Sequence, residues 1–177
     1  MNKQKFSLSY SNEDDRAYGL AGMMVALANL RAIDRIAVVS IDAEGPMVEF
    51  SHEYYFSGSP SISPKSTWEN LVRNFHLTTS MVVSNILARS LVRLKEEASS
   101  EVLDSVYRQV ELEGKDSCSL EEDEIEQLYH DVLTRSMRIF RNPRIHPAID
   151  EFARVISRKR SLSGREILDE LHLLQLL

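Results

Sequence analysis

The chain has a single cysteine, Cys118, among its 177 residues, and no long apolar run. One cysteine forms no intrachain disulfide. The N-terminal stretch MNKQKFSLSY lacks the apolar segment that a secretory signal requires. The longest uncharged apolar run, residues 18–30, is shorter than the roughly 20 residues that cross a bilayer. These absences predict a cytoplasmic protein with no membrane segment.

Motifs that carry common catalytic chemistry are also missing. The five histidines show no HExxH spacing, and the chain has no GxxxxGK, GxGxxG or GxSxG segment. The acidic run at residues 121–126 lacks the spaced oxygen ligands and the glycine of a calcium loop. We therefore expect no cofactor and no metal, and a protein that is not an enzyme. A dispersed site stays open, because catalytic residues need only meet in space; its candidates are His52, Tyr54 and His76.

Composition places the chain among ordinary globular proteins, with 43% hydrophobic and 27% charged residues. A chain of this length buries one good core and is too short for two substantial domains. We predict a single domain over residues 1–177. Residues 1–58 form its sheet-containing part and residues 66–177 its helical part.

The first part alternates between strand and helix patterns. Lys5–Tyr10 alternates apolar and polar residues and predicts a strand. Residues 13–32 follow an acidic, Asn-capped start and predict a helix. Arg35–Asp42 and Met47–Phe56 predict a hairpin around the turn sequence AEGP. The fold class is therefore α+β, with a small N-terminal mixed sheet before a helical remainder.

Two local patterns refine this first part. The predicted helix carries Gly19, Gly22 and Ala26 on one side, small residues that favour close packing on the sheet. Strand alternation from Val48 onward places His52 in a row with Tyr54 and Phe56. We expect His52 to line apolar surface there, with a catalytic role as the weaker alternative.

The remainder predicts about five helices. Each is bounded by a capping residue, a glycine or a proline. They cover residues 66–97 with an interruption at 77–80, residues 102–112 ended by Gly114, residues 119–141, residues 147–159 and the C-terminal helix capped by Ser163 and Glu166.

Charge is divided unevenly along this remainder. Residues 95–131 hold 3 basic and 13 acidic side chains, a net charge of -10, whereas residues 132–165 hold 9 basic and 2 acidic, a net +7. Such asymmetry is typical of helices that face each other in the fold, of complementary surfaces across a subunit interface, or of a basic face for a polyanion.

The segment SRKRSLSGRE, residues 157–166, has four basic residues in ten positions, all four of them from the basic block 132–165. It is interpreted first as a turn between two helices whose basic residues complement a helix end. Its second interpretation is an anion-binding site. The candidate side chains are Arg154, Arg158, Lys159, Arg160 and Arg165.

Six of the last ten residues are leucine, on the predicted C-terminal helix. So wide an apolar face must be covered by the core or by another chain. We therefore expect an intracellular interaction or assembly module that self-associates, as a homodimer, through apolar helical surface. The alternatives are a nucleic-acid-associated protein that uses residues 132–165, and a small-ligand binder or enzyme with a pocket near His52.

Overall fold

A computed structural model describes residues 7–55 and 63–177. Helices dominate these residues beside one small antiparallel sheet, so the predicted α+β class is confirmed. The α-helices are α1 (Glu13–Asn29), α2 (His52–Tyr55), α3 (Pro64–Leu87), α4 (Ser100–Cys118), α5 (Glu122–Phe140), α6 (His146–Lys159) and α7 (Gly164–Leu173). The strands are β1 (Ile36–Ser40), β2 (Val48–Phe50) and β3 (Ser161–Ser163). A 3-10 turn at Ile33–Arg35 precedes β1, and a π-helical segment at Ala88–Leu94 continues α3.

The sheet has the order β2-β1-β3, with both pairings antiparallel. The predicted hairpin of β1 and β2 is confirmed. The third strand is Ser161–Ser163, which the sequence had placed in a turn between helices. The strand predicted at Lys5–Tyr10 is wrong for residues 7–10, which lie outside any strand, and its first two residues are not described. The sheet is therefore antiparallel rather than mixed. Because β1 is partly buried, pairing on both edges satisfies its backbone hydrogen bonds.

The second hairpin strand is shorter than predicted, because the chain turns into α2 after Ser51. The amide of Tyr54 donates to the carbonyl of Ser51, and the Tyr54 ring stacks on Phe50 with centroids 3.8 Å apart. The strand row through His52 is consequently wrong: His52 begins the short helix and is exposed. Phe56, the last member of that row, lies outside the described residues.

The small residues of α1 face α3, not the sheet as predicted. A Cβ added at Gly22 would collide with the backbone carbonyl of Ser84 and lie 2.6 Å from the Cβ of Ala88. Glycine is required there because the two helix backbones approach so closely. The core extends from this contact to α5 and α6, which supply the buried residues Phe140 and Phe152.

Helix α3 starts earlier than predicted and is not interrupted. Its N-cap is Ser63, whose side chain accepts a hydrogen bond from the amide of Ser66, so the predicted start at a Ser66 and Glu69 capping box is wrong. Residues 77–80 stay helical, and the hydroxyls of Thr78 and Ser80 donate to carbonyls of the preceding turn.

Helix α4 continues past Gly114, which was predicted to end it. Gly114 is buried, and a Cβ there would lie 2.9 Å from the side chains of Phe75 and Ile125. The helix ends instead at Ser119, which has a φ of 52°. Glu121, not Ser119, is the N-cap of α5, in a capping box with Glu124.

The last two helices follow the prediction closely. Helix α6 has a proline in its first turn, and the Ser163 hydroxyl accepts a hydrogen bond from the amide of Glu166, 3.3 Å away, at the start of α7. The Glu166 carboxylate accepts in return from the amide of Ser163 at 2.9 Å, which completes a capping box. Local capping chemistry therefore fixes where α7 begins.

Arg89 is 1% exposed and joins three parts of the chain. Its guanidinium donates two hydrogen bonds of 2.8 Å to the buried carboxylate of Asp15 in the first turn of α1. It also donates to the carbonyls of Ser7, Leu8 and Ser9. The side chain thus captures backbone oxygens that a strand would have used, which explains why residues 7–10 join no sheet.

Burial by itself would raise the pKa of the Asp15 carboxyl. Hydrogen bonds from Arg89 and Ser11, with the nearby charge of Arg93, outweigh that effect, so the pKa of Asp15 is lowered below its ordinary value of 3.8. A carboxyl with a depressed pKa in the folded state stabilises the protein above its unfolded pKa. This contribution is lost as the pH falls through the folded value.

Replacing Arg89 with methionine should lower the free energy of unfolding at neutral pH by about 3 to 5 kcal/mol. The substitution leaves a buried carboxylate and three backbone carbonyls without the hydrogen-bond donor that they have in the wild type. Arg154→Met is the matched control: the Arg154 side chain is 71% exposed and pairs with Glu151 at 3.0 Å, so its loss should cost below about 1 kcal/mol. Urea unfolding measures both. The difference in free energy of unfolding between the wild type and Arg89→Met should decrease in acid, because Asp15 of the wild type becomes protonated there. Equal effects of the two substitutions would contradict this role for Arg89.

Removing the cap of α7 by Ser163→Ala should lower the free energy of unfolding by about 0.5 to 2 kcal/mol. Ser161→Ala, in the same strand but exposed, should change it by less than about 0.5 kcal/mol. Thermal or urea unfolding of the two variants makes the comparison, and a smaller loss for Ser163→Ala than for Ser161→Ala would refute the cap.

Candidate interaction surface

Most of the predicted anion-binding side chains have carboxylate partners. Arg154 bonds Glu151 at 3.0 Å, and Lys159 lies 3.1 Å from Glu170. Arg160 forms ion pairs with Glu13 and Asp42, which fasten the start of β3 to α1 and to the loop after β1. Arg160 is therefore anchored, whereas the helix-end interpretation implied solvated side chains.

The other two members of that set have no carboxylate partner among residues 7–55 and 63–177. Arg158 is exposed on α6, and Arg165 lies in the first turn of α7, beside β1. The structure does not bring the five side chains onto one unpaired basic face, and anion binding by this set stays a prediction.

The three pocket candidates lie on two helices. His52 is exposed on α2, while Tyr54 is half-buried, and burial together with nearby Glu113 raises its pKa to about 12. His76 is half-buried on α3 near Arg135 of α5; burial, then that charge, lowers its pKa. His52 and Tyr54 lie two residues apart on α2, whereas His76 lies on α3. That the three side chains line one pocket stays a prediction.

The C-terminal leucines divide between core and surface. Leu171 is fully buried, and Leu174 and Leu176 pack partly against the core. Leu168, Leu173 and Leu177 stay 38%, 77% and 46% exposed. The core therefore covers this face only in part, and the expected cover by another chain stays a prediction.

A groove between α4 and α5 was not anticipated from the sequence. It consists of two adjoining open cavities of about 780 and 360 Å³ that share His130 and Leu133. The larger contains α4 residues as well as the first half of α5, and the smaller follows the second half of α5. Together they form one continuous surface along α5, here called the α5 face. Its α5 side chains are Glu122, Asp123, Glu126, Gln127, His130, Leu133, Thr134, Met137, Arg138 and Arg141.

The α5 face exists because α5 is strongly amphipathic. Residues at helical spacing, including Ile125, Val132 and Phe140, are buried against the core. The opposite side of the helix is therefore left outward, and α4 lies along one edge of it.

Charge changes sign from one end of the α5 face to the other. Glu122, Asp123 and Glu126 lie in the first half of α5, and Arg138 and Arg141 at its end. The middle is less charged, with His130, Leu133, Thr134 and Met137. The acidic half also suits the positive end of the helix dipole, and the basic half the negative end.

Several of these charges lack an ion-pair partner within the described residues. Asp123, Glu126 and Arg138 form none there. Arg141 pairs with Glu97 at 3.1 Å, but both side chains are 56% exposed, so the pair is solvated and weak. The charged side chains at both ends of the α5 face can therefore form ion pairs with a binding partner.

Two tyrosines give the acidic half of the groove a rigid floor. The Tyr129 hydroxyl donates to the carbonyl of Leu103 on α4 at 3.0 Å, and its ring meets Tyr107 edge-on with centroids 5.2 Å apart. Burial, with the nearby charge of Asp104, raises the pKa of Tyr129 to about 12. The two tyrosines thus form a neutral, rigid base of the groove, and the acidic side chains of the α5 face lie at its edge.

Some features of the α5 face could be recognised in the sequence. The acidic and basic blocks were evident, and residues 123, 126, 130, 133, 137 and 141 follow helical spacing. The position of α4 beside them required the structure, since it is a tertiary contact.

Two searches of residues 7–55 and 63–177 were negative. No group of three or more histidine, cysteine, aspartate and glutamate side chains is arranged to hold a metal ion there. No helix in these ranges is long and apolar enough to span a membrane.

Comparison of the chain with protein-family models, with curated proteins and with solved structures gives no match.

Proposed function

We propose that the protein is an interaction module that assembles as a two-fold homodimer through the α5 face. The reversal of charge along this face carries the proposal. A surface that is acidic at one end and basic at the other is complementary to itself when two copies meet antiparallel. Part of each charge block of the sequence then lies along α5, and these charges neutralise each other between subunits.

The register of such a pair follows from the spacing of the charges. With the two-fold axis near Val132, Glu126 of one subunit lies opposite Arg138 of the other, and Asp123 opposite Arg141. The symmetry repeats each pair. A parallel arrangement would instead place like charges together, which is unfavourable.

The centre of the α5 face is suited to burial at the axis. Leu133 and Met137 are half-buried already and pack against the core, so covering them removes apolar surface without reorganising the helix. Leu103 and Tyr107 of α4 extend this apolar centre sideways. Aromatic and methionine side chains are enriched in protein interfaces, with charged residues displaced to the rim.

The size of the face predicts a reversible dimer. A helix of 19 residues is about 28 Å long, and two adjacent helices about 20 Å wide. The planar area is about 560 Å² for each subunit, near the low end for specific interfaces. Because the rim pairs are exposed, salt should weaken the association.

Nucleic-acid binding has less support. Arg154, Lys159 and Arg160 are already paired with carboxylates, which lowers the free positive charge of the basic block. A small-ligand or catalytic role for His52 has less support, because that side chain is exposed on α2.

Charge reversal tests the dimer. Glu126→Arg and Arg138→Glu should each weaken association at least tenfold, because each places like charges together twice across the axis. The double variant should restore it, since both pairs are then inverted together. Sedimentation equilibrium at low and high salt gives the dissociation constants.

The matched controls are Glu44→Arg and Arg158→Glu, which make the same charge changes at exposed positions outside the α5 face. Both should leave association unchanged. A wild-type protein that stays monomeric at the highest attainable concentration contradicts the proposal, and so does a double variant no better than the two single ones.

A further inference from the structure

A separate open cavity of about 680 Å³ lies between α7 and the segment that leads from α1 into β1. It is here called the α7 cleft. Its walls are mainly apolar, formed by Ile33, Ile36, Ala37, Leu168 and Leu177. It shares no residue with the α5 face.

Close packing of α7 against β1 shapes this cleft. A Cβ on Gly164 would collide with the carbonyl oxygen of Ile36, so only glycine allows the helix to begin there. Ile33 and Ile36 are almost fully buried and give the cleft a firm floor, while Leu168 and Leu177 keep exposed surface at its side.

The polar border of the α7 cleft is predominantly cationic. Arg31 and Arg165 both line it, together with His172. Neither arginine side chain forms a hydrogen bond or ion pair with any described residue, unlike Arg89, Arg93 and Arg160. The carboxylate side chain of Asp34 at this border lies 3.5 Å from the guanidinium of Arg35, which compensates its charge.

Arg31 has a further peculiarity. Its φ of 55° lies in the left-handed region, just after the end of α1, where glycine is the usual residue. An arginine at this position keeps a long cationic side chain beside the cleft despite the backbone cost.

We propose that the α7 cleft binds an amphipathic organic anion, an aliphatic chain that ends in a carboxylate. Cavities of about 300 to 1,000 Å³ with apolar walls and a few polar groups are typical of small-molecule sites. The leucine and isoleucine walls cover the aliphatic tail of the ligand. The two guanidinium groups, which are unpaired within the described residues, bind its carboxylate by charge-assisted hydrogen bonds. This inference is independent of the dimer, because the α5 face plays no part in it.

Calorimetric titration with decanoate, decanol and acetate, each below any micelle-forming concentration, tests both halves of the ligand. Decanoate should bind at least tenfold more tightly than either of the others. If decanol binds as tightly as decanoate, the cleft does not recognise the carboxylate. If acetate binds as tightly as decanoate, the cleft does not recognise the aliphatic tail. Either result overturns the proposal.

Variants then locate the site. Arg31→Gln and Arg165→Gln should each weaken decanoate binding several-fold, and the double variant at least tenfold. Arg158→Gln, an exposed arginine on α6 without an ion pair, is the matched control and should bind as the wild type does. Amide shifts in two-dimensional NMR should move at Ala37, Leu168 and Leu177. Shifts confined to other parts of the chain, or unaltered binding by the folded double variant, would refute the assignment.

Discussion

The buried ion pair between Arg89 and Asp15 is the interaction on which the arrangement of the rest depends. It joins the end of α3 to the first turn of α1 and holds the carbonyls of residues 7–9 as well. The Arg89 guanidinium also lies 4.7 Å from the ring centroid of Tyr10, whose hydroxyl accepts from Asn85 of α3 at 2.7 Å. A buried charge is tolerated only when it is paired and fully hydrogen-bonded, so this junction fixes the position of residues 7–10.

The two surfaces with proposed roles lie on elements that pack around this junction. Helix α5 packs on α3 and turns its charged side outward, whereas α7 packs on β1 and on the turn that follows α1. Each surface combines a supported apolar centre with some charges that form no ion pair within the part of the chain that the structure describes. Unpaired charge beside covered apolar surface favours partners of defined chemistry: a second copy for the α5 face, and an organic anion for the α7 cleft.

The sequence predicted those features that depend on neighbours within one helical turn. The Asn12 cap of α1, the proline in the first turn of α6 and the Ser163 capping box all act locally, and each was confirmed. The errors came from distant contacts. Gly114 stays helical because Phe75 and Ile125 pack against it, and β3 forms because β1 requires a second partner.

The same distinction applies to the candidate surfaces. The opposite charges of residues 95–131 and 132–165 could be counted in the sequence, and subunit complementarity was one of their three explanations. Their alignment on one outward face, with α4 at its edge, depends on which side of α5 meets the core. The α7 cleft could not be predicted at all, because Arg31 and Arg165 come to line it only through the packing of α7 against β1 and the Ile33–Arg35 turn.

Intermolecular distances along α5 test the antiparallel dimer most directly. Spin labels attached singly at Thr134 and at Gln127, with Cys118 replaced by alanine, report the distance between equivalent positions in the two subunits. An axis near Val132 places Thr134 close to its own copy and Gln127 farther from its copy, by about 10 Å along the helices. Electron paramagnetic resonance should therefore give a short distance at Thr134 and a longer one at Gln127. The reverse order, or no intermolecular coupling at either position, would contradict the account.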